Sequence, residues 1–114
     1  MPTDSVTISF TLEFKRNLRT LARKYRSIRS DIQPLIDSLQ AGELPGDQVP
    51  GVNITIFKVR IRNSDIQKGK RSGYRCIYYI KTLNDRVLVT IFSKSEQSDI
   101  SIARLRAILQ EMGL

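Results

Sequence analysis

The stretch Lys68-Gly69-Lys70-Arg71-Ser72-Gly73-Tyr74-Arg75, with the run Cys76-Ile77-Tyr78-Tyr79-Ile80 behind it, decides how the rest of the chain is read. A basic, glycine-broken loop feeds directly into an apolar, aromatic strand, and Arg75 sits at the seam. Loops present charged groups to a ligand, and a strand behind the loop holds them still. The preceding stretch, Phe57-Lys58-Val59-Arg60-Ile61-Arg62, alternates apolar and basic residues. At period two this puts Lys58, Arg60 and Arg62 on one face of a strand and Phe57, Val59 and Ile61 on the other. From Lys58 to Arg75 there are seven Lys or Arg residues and one acid, Asp65. That concentration of like charge predicts a site for phosphate.

Two more segments complete a meander around this strand. Leu83-Asn84-Asp85 has turn chemistry, and Arg86 to Ser93 pairs back as a hairpin partner. Three strands close in sequence pair most economically as antiparallel neighbours. Upstream, Val6, Ile8 and Phe10 alternate with Thr7 and Ser9, which predicts a first strand. Thr11 can cap a helix whose first turn holds Glu13. Phe14, Leu18, Leu21, Ala22 and Tyr25 form its apolar stripe, and Lys15, Arg16, Arg19, Arg23 and Lys24 take its outer face. Ile28, Ile32, Leu35, Ile36 and Leu39 predict a second helix. Pro34 suggests a short first piece, then a main piece capped by Asp31. Gly42, Pro45, Gly46, Pro50 and Gly51 punctuate the loop before the basic strand, which is expected from about Ile54. Ser98 is the expected cap of a last helix, with Asp99 in its first turn. Its stripe is Ile102, Leu105, Ile108, Leu109 and Met112, and Gly113 stops it. The expected order is β-α-α-β-β-β-α in one α+β domain spanning residues 1–114.

Composition narrows the chemistry. A chain of 114 residues supports one modest core. The formal charge of +8 predicts a polyanion or an acidic protein as partner. The single cysteine, Cys76, cannot form an internal disulfide, and its apolar strand context makes it a core residue. There is no histidine, so the commonest metal ligand and general base are both missing. No carboxylate pair, P-loop or metal-ligand spacing stands out, and neither a metal nor a cofactor is expected. The N-terminus is too polar for a signal peptide, and no apolar run approaches the ~20 residues of a membrane span. A cytoplasmic protein with no membrane partner is expected.

A cationic cluster suits one reaction well. The 2′-hydroxyl of RNA attacks its own phosphate when a base takes its proton, guanidinium groups stabilise the added charge, and a cation assists the leaving 5′ oxygen. A lysine crowded by cations can serve as the base, since its charged form is disfavoured. Tyr74, Tyr78 or Tyr79 can stack on a base. Each feature also has a plain structural reading. The basic stripe fits the wet face of a half-exposed strand, the tyrosines fit sheet packing, and Gly69 and Gly73 fit turns.

In these segments the chain resembles the RelE/ParE superfamily of bacterial toxins, in its RelE/HigB ribonuclease branch. Residues 57–60, the loop 68–75, Tyr78-Tyr79 and Ile91-Phe92-Ser93-Lys94-Ser95-Glu96-Gln97-Ser98-Asp99-Ile100 carry the likeness. The resemblance implies a RelE-like fold, with two N-terminal helices packed on a twisted antiparallel sheet and a C-terminal helix. It also implies the toxin of a type II toxin-antitoxin system, an endoribonuclease that cuts mRNA in the ribosomal A site and inhibits translation. The partners implied are mRNA, ribosomal RNA and a cognate antitoxin. Position by position, it assigns catalytic roles to Lys58, Arg60, Arg75 and Lys94. RelE has an arginine where Ser95 stands and a catalytic tyrosine where Ser101 stands. Lysine-rich HigB-like variants imply that Lys68, Lys70 and Lys94 take over proton transfer. The remaining RNA-binding candidates are Arg62, Lys68, Arg71, Tyr74 and Tyr79. Two other classes fit the same fold: a ParE-like inhibitor that blocks DNA gyrase and cuts nothing, and an RNA-binding protein without activity.

Overall fold

A computed structural model describes residues 6–66 and 73–113. The described residues form a mixed five-stranded sheet with three helices. In chain order these are β1 (Thr7–Phe10), α1 (Leu12–Lys24), α2 (Ile28–Gln40), β2 (Asp47–Gln48), β3 (Ile56–Ile61), β4 (Tyr74–Thr82), β5 (Asp85–Ser93) and α3 (Ile102–Glu111). The strands lie in the order β1-β5-β4-β3-β2. The meander β3-β4-β5 is antiparallel, as the sequence predicts. Two features differ from expectation. A two-residue strand, β2, adds to β3. And β1 runs parallel to β5, so the sheet is mixed and not purely antiparallel. Alternation along a strand is the same in either direction, so it says nothing about the direction of pairing.

The sheet has two apolar faces. On one, Phe14 and Leu21 of α1, Tyr25, and Ile28, Ile32, Leu35 and Leu39 of α2 pack on Ile61, Tyr74, Cys76, Tyr78, Leu88 and Ile91. On the other, Leu105, Ile108 and Leu109 of α3 pack on Ile56, Ile77 and Val89. Side chains alternate between faces along a strand, so the α3 face of β3 also carries Lys58 and Arg60, and that of β4 carries Arg75. Beyond the end of β1, α1 takes over the edge of β5. Thr11 Oγ1 donates to the Val89 carbonyl at 2.6 Å, and Asn17 Nδ2 to the Ile91 carbonyl at 3.2 Å. An edge covered in this way offers no open row of carbonyls to another chain.

The helix caps decide where key side chains go. Thr11 caps α1 as predicted, its hydroxyl accepting the Phe14 amide at 2.9 Å. α2 is one helix from Ile28, and Pro34 lies inside it. The carbonyl that Pro34 leaves without a donor belongs to Ser30, an exposed residue that water can reach. Asp31 is therefore not a cap, and its carboxylate instead accepts the Ser64 amide at 2.9 Å. Asp65 accepts the Ser27 amide at 2.8 Å and the Ser27 hydroxyl at 3.0 Å. A carboxylate beside the first turn of a helix is well placed. The one acid in the basic stretch thus ties residues 63–66 to α2. α3 begins three residues later than Ser98 predicts: Ser101 is its cap, accepting the Arg104 amide at 3.0 Å. Asp99 consequently stays in the connection after β5.

Candidate functional site

β3 and β4 are in a register that sets Arg60 directly opposite Arg75, with Phe92 of β5 completing the row. Lys58 stands two residues along β3, opposite Ile77. All three cations share the α3 face. Like charges directly opposed across a ladder are unfavourable, and here one of them is also covered. Arg75 keeps only 6% of its surface, and its guanidinium donates to the Tyr74 carbonyl at 3.2 Å. Burial, then Arg60, pulls the Arg75 guanidinium below its ordinary value, with Asp99 acting in the opposite direction.

The connection after β5 closes the group. The Lys94 amide donates to the Gly73 carbonyl at 2.9 Å, fixing this segment beside the start of β4. The Ser93 and Ser95 hydroxyls meet at 2.9 Å, and Lys24 pairs with Glu96 at 3.0 Å, so the end of α1 holds the same segment from behind. A hydrogen bond with Ser95 brings the Tyr25 phenol below its ordinary value. Burial opposes this, and bonds with Ser93 and Lys24 add to it. Lys94 Nζ donates to the Ser98 carbonyl at 2.8 Å. Lys58 Nζ reaches both Asp99 oxygens, at 3.0 and 3.1 Å. Burial raises the Asp99 carboxyl, but the Ile100 amide, Lys58 and Lys94 more than offset it, and the group lies below the ordinary carboxylate value.

Gly73 is the pinch point of this arrangement. A Cβ there would overlap the Ile61 carbonyl oxygen at the end of β3. Its carbonyl meanwhile receives Lys94. The glycine predicted as a turn residue therefore serves close approach between two backbones.

The structure thus brings Lys58, Arg60, Arg75 and Lys94 to one region. Arg62 is exposed just beyond β3. Lys68, Lys70 and Arg71 lie outside the described residues. Tyr74 is a correction. It is fully buried on the helix face, its ring edge-on to Tyr25 at 5.7 Å, so no base can stack on it. Burial, aided by Asp31 and Asp65, pushes its phenol up. Tyr78 is equally buried and stacks on Phe57 at 5.5 Å. Tyr79 shares the face of Arg75 but stands four residues along β4, about 13 Å at strand rise, and packs into the α3 cluster. Cys76 is fully buried in the core as expected, and burial pushes its thiol up. The sequence reading missed Asp99 as a site residue because it placed this residue in a helix. Its partner Lys58 lies 41 positions away.

Set against known proteins, the chain matches no family profile and no curated protein. Among the described residues, no helix is long and apolar enough to cross a membrane.

Proposed function

We propose that this chain is the toxin of a type II toxin-antitoxin pair, a RelE/HigB-like endoribonuclease that cuts mRNA in the ribosomal A site and so inhibits translation. The observation that carries the reading is the opposed pair Arg60 and Arg75, one of them buried, flanked by Lys58 and Lys94. Natural chains place like charges together at a cost to stability where function uses them. A phosphate bound here meets two guanidinium groups suited to its non-bridging oxygens. As the 2′ oxygen attacks, charge builds on those oxygens, and fixed cations in a partly dry site stabilise it. The described helices and strands support a RelE-like arrangement, with α1 and α2 on one face of the sheet and the cationic group on the other.

In this reading the protein works in the cytoplasm on ribosome-bound mRNA, contacts ribosomal RNA through its basic surface, and is restrained by an antitoxin. In sequence, Lys68, Lys70 and Arg71 stand between β3 and β4 and add to the positive charge of this stretch. The outer face of α1, with Lys15, Arg16, Arg19 and Arg23 exposed, offers the antitoxin a surface for acidic residues. The test is induced expression followed by mapping of mRNA 5′ ends. Discrete new ends within translated frames are expected. Intact mRNA accompanied by DNA damage would refute the nuclease reading in favour of gyrase inhibition, and intact mRNA with no growth effect would leave a passive RNA-binding protein.

A further inference from the structure

The proposed reaction needs a base for the 2′-hydroxyl, and the described part of the site offers few groups that can accept a proton. Arg60 and Arg75 are permanently protonated donors. Lys58 and Lys94 both act as donors, the first to Asp99 and the second to the Ser98 carbonyl. The chain has no histidine. Tyr74 faces the opposite side of the sheet. Asp99 is the carboxylate that, among the described residues, meets a cation of the α3 face directly. Resting on the reading above, we infer that Asp99 is a catalytic residue, the general base of RNA cleavage, and that Lys58 is its resident counter-ion until a substrate phosphate takes Lys58 away.

The geometry makes this exchange cheap. The Lys58–Asp99 pair is exposed, with 36% and 57% of the two side chains accessible. Such exposed pairs contribute little to stability. A phosphodiester entering between Lys58, Arg60 and Arg75 competes for the ammonium with an equal charge and two additional guanidinium partners. Once Lys58 turns to the phosphate, Asp99 Oδ2 loses its Lys58 partner and Oδ1 keeps the Ile100 amide, which leaves the carboxylate able to take a proton. The Ile100 amide, donating to Asp99 Oδ1 at 2.8 Å, keeps the carboxylate oriented.

The step balances without an added reagent. The 2′-hydroxyl proton passes to Asp99, the O2′–P bond forms, and the P–O5′ bond breaks. The leaving 5′ oxygen takes a proton from Lys94. The products are a 2′,3′-cyclic phosphate and a 5′-hydroxyl, and solvent returns the proton from Asp99 to Lys94. In the free protein the carboxylate is faced by Lys58 from β3, Arg75 from β4 and Lys94 from its own segment, and lies below the ordinary carboxylate value. Bound phosphate neutralises those cations, so Asp99 becomes a stronger base when substrate is present.

The test is single-turnover cleavage of mRNA on purified programmed ribosomes, comparing wild type with Asp99→Asn and Asp99→Glu, with binding measured separately. For Asp99→Asn a fall in rate of about 10²–10⁴ is expected, with ribosome binding unchanged or tighter. In wild type the acid limb of kcat should lie at higher pH than that of kcat/KM, because substrate has displaced the cations. Asp99→Glu keeps a carboxylate and should retain that limb at a reduced rate. Cleavage by Asp99→Asn at the wild-type rate, or a loss confined to binding, would overturn the assignment of Asp99 and leave the nuclease reading intact. So would an inactive Asp99→Glu that melts like wild type. No cleavage by wild type would overturn both.

Discussion

Replacing Arg75 by methionine should make the protein more stable and less active at once. The side chain is nearly fully covered, opposes Arg60 across the β3–β4 ladder, and donates to the Tyr74 carbonyl. Both burial and Arg60 disfavour its charge, and Asp99 compensates in part. Methionine has a comparable unbranched stem, fills much of the same space, and brings no charge into the row. Swapping buried ionic groups for apolar ones of similar volume is often neutral or stabilising by about 1–4 kcal/mol. With Asp99 losing one favourable neighbour, we expect about 1 kcal/mol, near the low end of that range. For a chain of this size that corresponds to a rise in Tm of about 4 °C. The assay is thermal unfolding at neutral pH, in low and high salt, of wild type, Arg75→Met, Arg60→Gln and the double variant. Arg60→Gln should also stabilise, and its effect should vanish once Arg75 is gone, which is the signature of direct coupling. The same Arg75→Met protein should lose about 10²–10³ in cleavage rate, the size of one transition-state donor. If Arg75→Met instead lowers Tm, or if the two single effects simply add, the cationic pair is not a store of electrostatic strain and the argument from it fails.

Ribosome or RNA affinity should fall by orders of magnitude between low and physiological salt, since several phosphate contacts each release counterions. A flat salt response would mean that the basic face meets something other than nucleic acid. Gly73→Ala should destabilise by about 1–3 kcal/mol, because the added methyl meets the Ile61 carbonyl, which is backbone and cannot swing aside. A melting temperature equal to wild type would show that β3 and Lys94 do not close on Gly73 as described. Asp99 lies below its unfolded value when folded, so the stability it contributes is present above the unfolded carboxylate value, near pH 4, and is lost as pH falls through the lower folded value. Asp99→Asn should therefore flatten the acid side of a stability-against-pH curve and leave its neutral and alkaline parts parallel to wild type. A change confined to the alkaline side would contradict the ion pair with Lys58.

What was legible in the sequence was whatever local spacing encodes. Alternation in Phe57-Lys58-Val59-Arg60-Ile61-Arg62 put the cations of β3 on one face, because successive side chains of a strand must point to opposite sides. The Thr11 cap, the stripe of α1 and the β3-β4-β5 meander follow from contacts a few residues apart or from neighbours along the chain. Cys76 as a core residue and Arg75 at the seam of loop and strand were equally readable. The tertiary structure alone decided the direction of β1, since period two is blind to strand polarity. It decided that Tyr74 is core against α1 and α2 while Arg75 lies on the α3 face opposite Arg60, because which face of β4 meets α1 and α2 depends on packing across the sheet. It also moved the start of α3 to Ser101, where Ser98 and Ser101 offer the same capping chemistry and only the path back across the sheet distinguishes them. That three-residue difference places Asp99 beside Lys58 and not in a helix. An ion pair across 41 residues has no local signature: it exists because the β5–α3 connection must return over the face that β3 shares.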